Sequence, residues 1–126
     1  MVYDSVTAVI REAFSEKQKS KGMNEMLEKN IERHLVEGVR KLGGLCYKFT
    51  SPGTQGVPDR LIITAQGRVI FAEIKTDNGV LSKIQTYTIS QMWKRHIDVR
   101  ILYGLEQVNE LLAEIERDNY KEGAIQ

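Results

Sequence analysis

The chain has 126 residues, of which 41% are hydrophobic and 28% charged, and its formal net charge is +1. This length corresponds to one ordinary domain, which can bury a single core without disulfides or a structural metal. No apolar run approaches the roughly 20 residues that span a bilayer, and no secretory signal is visible. A single cysteine, Cys46, excludes an internal disulfide, and with only two histidines a zinc site is disfavoured. The composition predicts a cytoplasmic globular domain whose charge permits an anionic partner without requiring one.

The first predicted element is a helical segment over residues 1–21, where apolar residues recur at helical spacing. The basic and polar run Lys17–Gly22 predicts a linker after it. Asn24 is a candidate N-cap for a second helix that ends near Leu42, before Gly43-Gly44. A helical extension, a compact domain and a polar, frayed tail are therefore predicted, at residues 1–22, 23–118 and 119–126.

The remaining elements alternate between strands and helices. Strands are predicted at Leu45–Phe49, Asp59–Ala65, Arg68–Lys75 and Val99–Tyr103. Further helices are predicted from Ser82 to about His96 and from Leu105 to Arg117. A short turn makes the second and third strands antiparallel, and the helix before the fourth strand allows a parallel crossover. We therefore predict an α/β fold, a mixed four-stranded sheet flanked by helices in the order α-β-β-β-α-β-α.

The third predicted strand contains two charged residues in an otherwise apolar run. Glu73 and Lys75 are two residues apart, so their side chains point to the same face of the sheet. Burying either charge is costly unless it has partners. An ion pair at the end of the strand is a purely structural explanation, and a reactive centre is the functional one.

The position of Asp59 relative to Glu73 depends on the hairpin loop between the second and third strands. A two-residue loop, Gln66-Gly67, pairs Arg60 with Glu73 and turns Asp59 away. A three-residue loop, Ala65–Gly67, pairs Asp59 with Glu73, and its left-handed last position suits glycine. In that register two carboxylates oppose each other and repel unless a cation lies between them. Taken alone, Asp59 after a proline is also an ordinary turn residue.

A third carboxylate is available from the helix that precedes the first strand. Glu28 falls within the apolar stripe of that helix, where an acid is unexpected, although it also suits a helix start. Glu32 lies at the edge of the same stripe and is the rival candidate. Hard oxygen ligands without a thiolate select Mg²⁺ or Mn²⁺, so these acids predict a site for one of those ions.

Several short motifs follow one another at a specific spacing. They are Glu28, Gly56-Val57-Pro58-Asp59-Arg60, Phe71-Ala72-Glu73-Ile74-Lys75, and Leu81-Ser82 with Gln85. In these residues and in its element order, the chain resembles the virus-type replication-repair nuclease (VRR-NUC) family of the PD-(D/E)xK superfamily. The resemblance extends from about Met23 to Tyr103 and implies a restriction-endonuclease-like core.

The resemblance also implies a role for individual residues. Asp59 and Glu73 would bind Mg²⁺ or Mn²⁺ together with the Ile74 carbonyl, and Glu28 would complete the site directly or through water. Lys75 would position or help to deprotonate the attacking water. Gln85 would reach the site, or would instead only close a capping box with the preceding serine. Contacts to DNA phosphates are expected from Lys48, Ser51, Gly56 and Arg60, although Lys48 is alternatively a solvated charge at a strand edge.

The activity implied by this resemblance is metal-dependent hydrolysis of DNA. Stand-alone members of the family resemble endonucleases that act on branched DNA such as Holliday junctions. A homodimer is expected because symmetric incision of a four-way junction needs two active sites. We therefore expect a DNA repair enzyme in the cytoplasm of a bacterial or phage-infected cell. The alternatives are a restriction-like or flap nuclease, a nucleic-acid-binding module without activity, and a structural partner domain.

Overall fold

The structure is a computed structural model that describes the backbone of residues 2–125 and the side chains of residues 21–121. Its elements follow the predicted order of helix, three strands, helix, strand and helix. The helices are α1 (Val2–Lys41), α2 (Lys83–Lys94) and α3 (Gly104–Ile125). The strands are β1 (Leu45–Lys48), β2 (Arg60–Ile63), β3 (Val69–Lys75) and β4 (Val99–Tyr103).

Helix α1 is continuous from Val2 to Lys41, so the predicted linker at Lys17–Gly22 is wrong. Lysine and glutamine are good helix formers, and a lone glycine costs only about 1 kcal/mol relative to alanine. No proline occurs before position 52, so nothing in the run forces the helix to end. Asn24 consequently lies inside the helix rather than at its N-cap, and the predicted extension 1–22 is joined to the domain by unbroken helix.

The sheet has the strand order β1-β2-β3-β4. The pairs β1–β2 and β2–β3 are antiparallel, whereas β3–β4 is parallel, so the predicted mixed sheet is confirmed. Helix α2 makes the crossover that a parallel pair requires. Because side chains alternate along β3, Ile70, Ala72 and Ile74 share one face, while Glu73 and Lys75 lie on the other.

One face of the sheet carries the main core, which is covered by α1 and α3. Helix α1 supplies the buried stripe Ile31, Leu35 and Val39. Gly38 lies beside this stripe, and a Cβ atom there would collide with the side chain of Leu112. The glycine therefore allows α1 and α3 to approach closely, which is needed for both helices to reach the same sheet face.

The predicted frayed tail at 119–126 is also wrong in its described part, because α3 continues to Ile125. Asn119 donates its side-chain amide to the carbonyl of Leu42 at 2.9 Å. This bond satisfies a carbonyl just beyond the end of α1 and holds the last turns of α3 in place. No helix among the described residues is both long and apolar enough to cross a membrane.

Candidate active site

The loop between β2 and β3 has three residues, Ala65–Gly67. The N–H of Thr64 donates to the Arg68 carbonyl at 2.9 Å, and the N–H of Gly67 donates to the Thr64 carbonyl at 2.9 Å. Gly67 has a φ of 86°, the left-handed conformation that glycine adopts without strain. Of the two loops considered from the sequence, the three-residue loop is therefore confirmed.

This loop places Asp59 opposite Glu73. Arg60 pairs with Ala72 in the antiparallel ladder, and extending this register by one residue sets Asp59 opposite Glu73, whose pKa the charge of Asp59 raises. Directly opposed residues of an antiparallel pair project from the same face, so both carboxylates point to the α2 side of the sheet. The register that brings the two acids together is the observed one.

Glu73 is a buried carboxylate with incomplete hydrogen bonding. Only 1% of the residue is exposed, and its Oε2 lies 3.6 Å from Nζ of Lys75. Its Oε1 has no hydrogen-bond partner within residues 21–121. Burial, followed by the charge of Asp59, raises the pKa of Glu73 to about 7, although Lys75 acts in the opposite direction. A buried oxygen without a partner is costly, so Oε1 is poised to bind a cation or a donor.

Gln85 closes the capping box predicted from the sequence and also reaches Glu73. Its backbone N–H and side-chain Oε1 form the capping box with Ser82, at 3.2 and 2.9 Å. Its Nε2 also donates to Oε2 of Glu73 at 3.1 Å. The cap thus fixes the amide in an orientation that holds one Glu73 oxygen and leaves the other unsatisfied.

Two clefts lie between α1 and the ends of the strands. The cleft that we call the Lys75 cleft is lined by Lys21, Asn24, Glu25, Glu28, Lys75, Thr76, Gly79 and Val80. The cleft that we call the Asp59 cleft is lined by Glu25, Glu28, Lys29, Glu32 and Asp59. Glu25 and Glu28 line both clefts, so the same turns of α1 border both Asp59 and Lys75.

Glu28 faces these clefts and is partly exposed, and by helical spacing it lies on the side of α1 that carries the buried Ile31 and Leu35, as predicted. Burial still raises its pKa, and Lys75 opposes that shift. Burial and the charge of Glu32 likewise raise the pKa of Asp59. Within residues 21–121, no three acidic, histidine or cysteine side chains are arranged to hold one ion. Glu28 therefore borders the carboxylate pair without forming a closed ligand set with it.

The chemistry of the donors fits a hard divalent cation. Asp59 and Glu73 offer carboxylate oxygens, one of which is buried without a partner. A cation would favour the charged form of both groups, whose pKa values are raised by burial. The backbone of Ile74 lies directly between Glu73 and Lys75, while its side chain is in the core. Oxygen donors of this kind suit Mg²⁺ or Mn²⁺.

The predicted phosphate-binding residues Lys48 and Arg60 are neighbours in the β1–β2 ladder but differ in availability. Arg60 donates from Nε to Oε1 of Glu32 at 2.8 Å, and each side chain is only 18% exposed. This pairing occupies one oxygen of Glu32, which still lines the Asp59 cleft together with Glu28. Lys48 is exposed, and it lies close enough to Asp59 to lower the pKa of that carboxyl.

The loop that contains Ser51 and Gly56 docks onto α2. Gly56 has a φ of 83°, and a Cβ atom there would lie 2.6 Å from the carbonyl oxygen of Ile84. Thr88 donates its hydroxyl to the Gln55 carbonyl at 2.8 Å. Ser51 accepts a turn hydrogen bond at its carbonyl from Thr54. Gly56 is thus required for close packing, which positions the loop beside Asp59.

Sequence reasoning missed Lys21 and Asn24, which were assigned to a linker and to a helix cap. In the structure they line the Lys75 cleft. They precede Glu28 by seven and four residues, so all three lie along one side of a continuous helix. Their spacing would have revealed this once the helix was known to be unbroken.

Comparison with known proteins identifies similar chains. No family model matches this chain. A solved structure described as "VRR_NUC domain" is similar with a TM-score of 0.63 and 27% sequence identity, covering 68% of this chain and 94% of that chain. "Putative nuclease p44" of Acyrthosiphon pisum secondary endosymbiont phage 1 is 58% identical over 48 residues, which are 38% of this chain and 52% of p44. The chain thus matches about half the length of that curated relative.

Proposed function

Since the chain belongs to the VRR-NUC family and has its α/β, restriction-endonuclease-like fold, we propose that it is a metal-dependent DNA endonuclease. The observation that carries this proposal is the opposed pair Asp59 and Glu73 beside Lys75, with one buried Glu73 oxygen lacking a partner. A purely structural ion pair would leave no reason to keep that oxygen unsatisfied, because its burial costs free energy.

Asp59 and Glu73 would hold a Mg²⁺ or Mn²⁺ ion, with the Ile74 carbonyl as a further ligand and Glu28 completing the set directly or through water. Such an ion polarises the scissile phosphate and lowers the pKa of a bound water. The chain's own contribution is to keep Oε2 of Glu73 fixed by Gln85, which leaves Oε1 available as a ligand.

Lys75 has the position expected of a residue that acts on the attacking water. Its Nζ lies 3.6 Å from Oε2 of Glu73, and its side chain is 17% exposed at the Lys75 cleft. An ammonium group held there orients a water molecule and offsets the negative charge that develops on the phosphate oxygens. Partial exclusion of water strengthens this electrostatic effect.

Contacts to the DNA backbone are proposed for four residues, with different support. Lys48 is exposed beside Asp59, and Ser51 lies in the adjoining loop, where backbone and hydroxyl groups can meet a phosphate. Arg60 would contact DNA only by exchanging Glu32 for a phosphate. Gly56 would act through its backbone while its α-carbon packs against α2.

We further propose branched DNA, such as a Holliday junction, as the substrate and a homodimer as the active form. The similarity to a putative nuclease of a phage supports a bacterial or phage-infected cell as the setting, and we propose a role in DNA repair or recombination there. Two active sites related by symmetry would allow paired incisions. A restriction-like or flap nuclease with the same core is the main alternative.

The test is cleavage of labelled linear duplex, flap and four-way junction DNA with Mg²⁺, Mn²⁺ or EDTA. We expect cutting only with metal, and paired symmetric nicks on the junction. Cutting in EDTA, or none on any substrate, would refute the metal-dependent nuclease. Preference for the flap or the linear duplex would select the alternative substrates while keeping the activity.

A further inference from the structure

The Lys75 cleft has a distribution of charge that the metal site does not explain. Lys75 and Lys21 are its two cations, while Glu25 and Glu28 lie between them on the wall formed by α1. Lys21 takes part in none of the ion pairs formed within residues 21–121. The cleft therefore has a cation at each end and two acids between them.

The distance along α1 from Glu28 to Lys21 can be compared with the spacing of a DNA strand. Seven residues of α-helix span about 10.5 Å at 1.5 Å per residue. The phosphates of one strand of duplex DNA are spaced by about 3.4 Å along the helix axis, but the strand also winds around that axis. Neighbouring phosphates are therefore about twice as far apart through space, and the distance along α1 corresponds to about one or two nucleotides. A strand whose scissile phosphate lies at Glu73 and Lys75 would thus bring another phosphate near Lys21.

The side chains at the remote end have the chemistry of phosphate recognition. Lysine supplies a charge, and the amide of Asn24 supplies a neutral N–H donor one helical turn away. The intervening Glu25 and Glu28 repel phosphates unless a cation is bound, so a strand would be favoured at both ends of the cleft rather than at its middle.

We propose that Lys21 and Asn24 are positioning residues that bind the DNA backbone about one or two nucleotides from the bond that is cut, an inference that rests on the nuclease function proposed above. The turn of α1 that carries Lys21 and Asn24 is then part of the substrate-binding surface, whereas Lys75 remains the residue that acts on the reacting atoms.

The test is steady-state cleavage of the preferred substrate by Lys21→Ala and Asn24→Ala. We expect Lys21→Ala to raise KM about five- to tenfold at low salt with kcat changed less than twofold, and to reduce the salt slope of log kcat/KM by about 1. We expect Asn24→Ala to raise KM without changing the salt slope of log kcat/KM, and Lys21→Arg to keep the wild-type KM. Lys41→Ala is the matched control, because Lys41 is exposed in the last turn of the same helix and lines neither cleft.

A chemically modified substrate locates the contact. A neutral methylphosphonate about one or two nucleotides from the cut should raise KM for the wild type to that of Lys21→Ala and have no further effect on the variant. The proposal would be overturned if the methylphosphonate and Lys21→Ala raised KM additively. It would also be overturned if Lys21→Ala had the same KM as Lys41→Ala, or if Lys21→Ala lowered only kcat.

Binding separates this inference from the proposed activity. The affinity of fluorescent DNA is measured by anisotropy for Glu73→Gln with and without Lys21→Ala. If the wild type cuts no DNA, weaker binding by the double variant still supports a role for Lys21, whereas equal binding overturns it.

Discussion

Glu73 is held by forces that oppose each other. Burial and the neighbouring Asp59 favour its neutral form, whereas Lys75 favours its charged form. The hydrogen bond from Gln85 fixes its orientation in either state. A carboxylate in this condition gains more from a divalent cation than an exposed one does, because the cation removes both the desolvation penalty and the repulsion from Asp59.

The first residue-scale prediction concerns pH. Folding raises the pKa of Glu73 from 4.5 to about 7, so the folded protein binds this proton more tightly than the unfolded chain. The stability that it contributes is fully present below pH 4.5 and is lost as the pH rises through about 7, a change of about 3 kcal/mol from the cited shift. We expect urea titrations of metal-free protein to show this fall relative to Glu73→Gln. Identical pH dependence in the two proteins would contradict it.

The second residue-scale prediction concerns Lys75, whose ammonium group lies between Glu73 and the open cleft. We expect Lys75→Ala to keep its fold and DNA affinity but to lose about 100-fold or more in kcat, because charge stabilisation in the transition state is lost. Circular dichroism, anisotropy and single-turnover cleavage measure the three properties. Lys41→Ala should behave like the wild type, and unimpaired turnover of Lys75→Ala would remove its catalytic role.

At the scale of elements, β4 forms one edge of the described sheet and is protected by two side chains. Trp93 donates from Nε1 to the Val99 carbonyl at 2.9 Å, and Gln107 accepts from the Tyr103 N–H at 3.0 Å. These bonds occupy backbone groups at both ends of the strand, which disfavours pairing with another chain. Trp93 is 47% exposed, so it is not a core residue, and its hydrogen bond to the Val99 carbonyl holds its ring against β4.

The connection of α3 to the sheet depends on an ion-pair network. Arg68 bonds to Asp98, Glu114 and Asp118, and Arg100 bonds to Asp98 and Glu114. The pKa of Glu114 is lowered mainly by its hydrogen bond to Arg100. These side chains are about one-third exposed, so solvent screening limits the stabilisation that each ion pair provides. The network as a whole orients α3 on the sheet.

An element-scale prediction follows from the contact between the Gly56 loop and α2. We expect Gly56→Ala to destabilise the protein by about 1–3 kcal/mol, because alanine is strained at positive φ. Its Cβ would also approach the Ile84 carbonyl. Gly53→Ala is the control, since no atom lies within 4 Å of a Cβ atom at that position. Chemical denaturation measures both, and equal stability of the two variants would show that the loop is not held in this way.

At the scale of the whole molecule, the candidate site joins elements that are distant in the chain. Asp59 directly precedes β2, Glu73 lies in β3, Gln85 comes from α2, and Glu28 comes from α1. A ligand that binds all of these elements stabilises the complete fold, because the unfolded chain cannot present them together.

We therefore expect Mg²⁺ to raise the free energy of unfolding. At 10 mM ion and a dissociation constant of about 1 mM, the gain is about 1.4 kcal/mol, or about 5 °C in melting temperature. Calorimetric melting with Mg²⁺ or with EDTA tests this, with Asp59→Asn as the variant that should lose the gain. A gain of the same size in Asp59→Asn would place the ion elsewhere.

Much of the fold could be predicted from the order of amino acids, because the relevant signals are local. The alternation in β3, the capping box at Ser82 and the glycine at the end of the Ala65–Gly67 loop each involve residues that are close in the chain. The length of that same loop left two possible registers for β2 and β3, and one of them sets Asp59 opposite Glu73.

The remaining features depend on how α1 crosses the sheet, which no local pattern specifies. The face of a helix that meets a strand end is set by packing against the entire core, and this placed Glu28 in a cleft, paired Arg60 with Glu32 and brought Lys21 toward Lys75. Helix continuity through Lys17–Gly22 was hidden for the same reason. Weak local preferences there yield to the cooperativity of a long helix that is already anchored by buried residues.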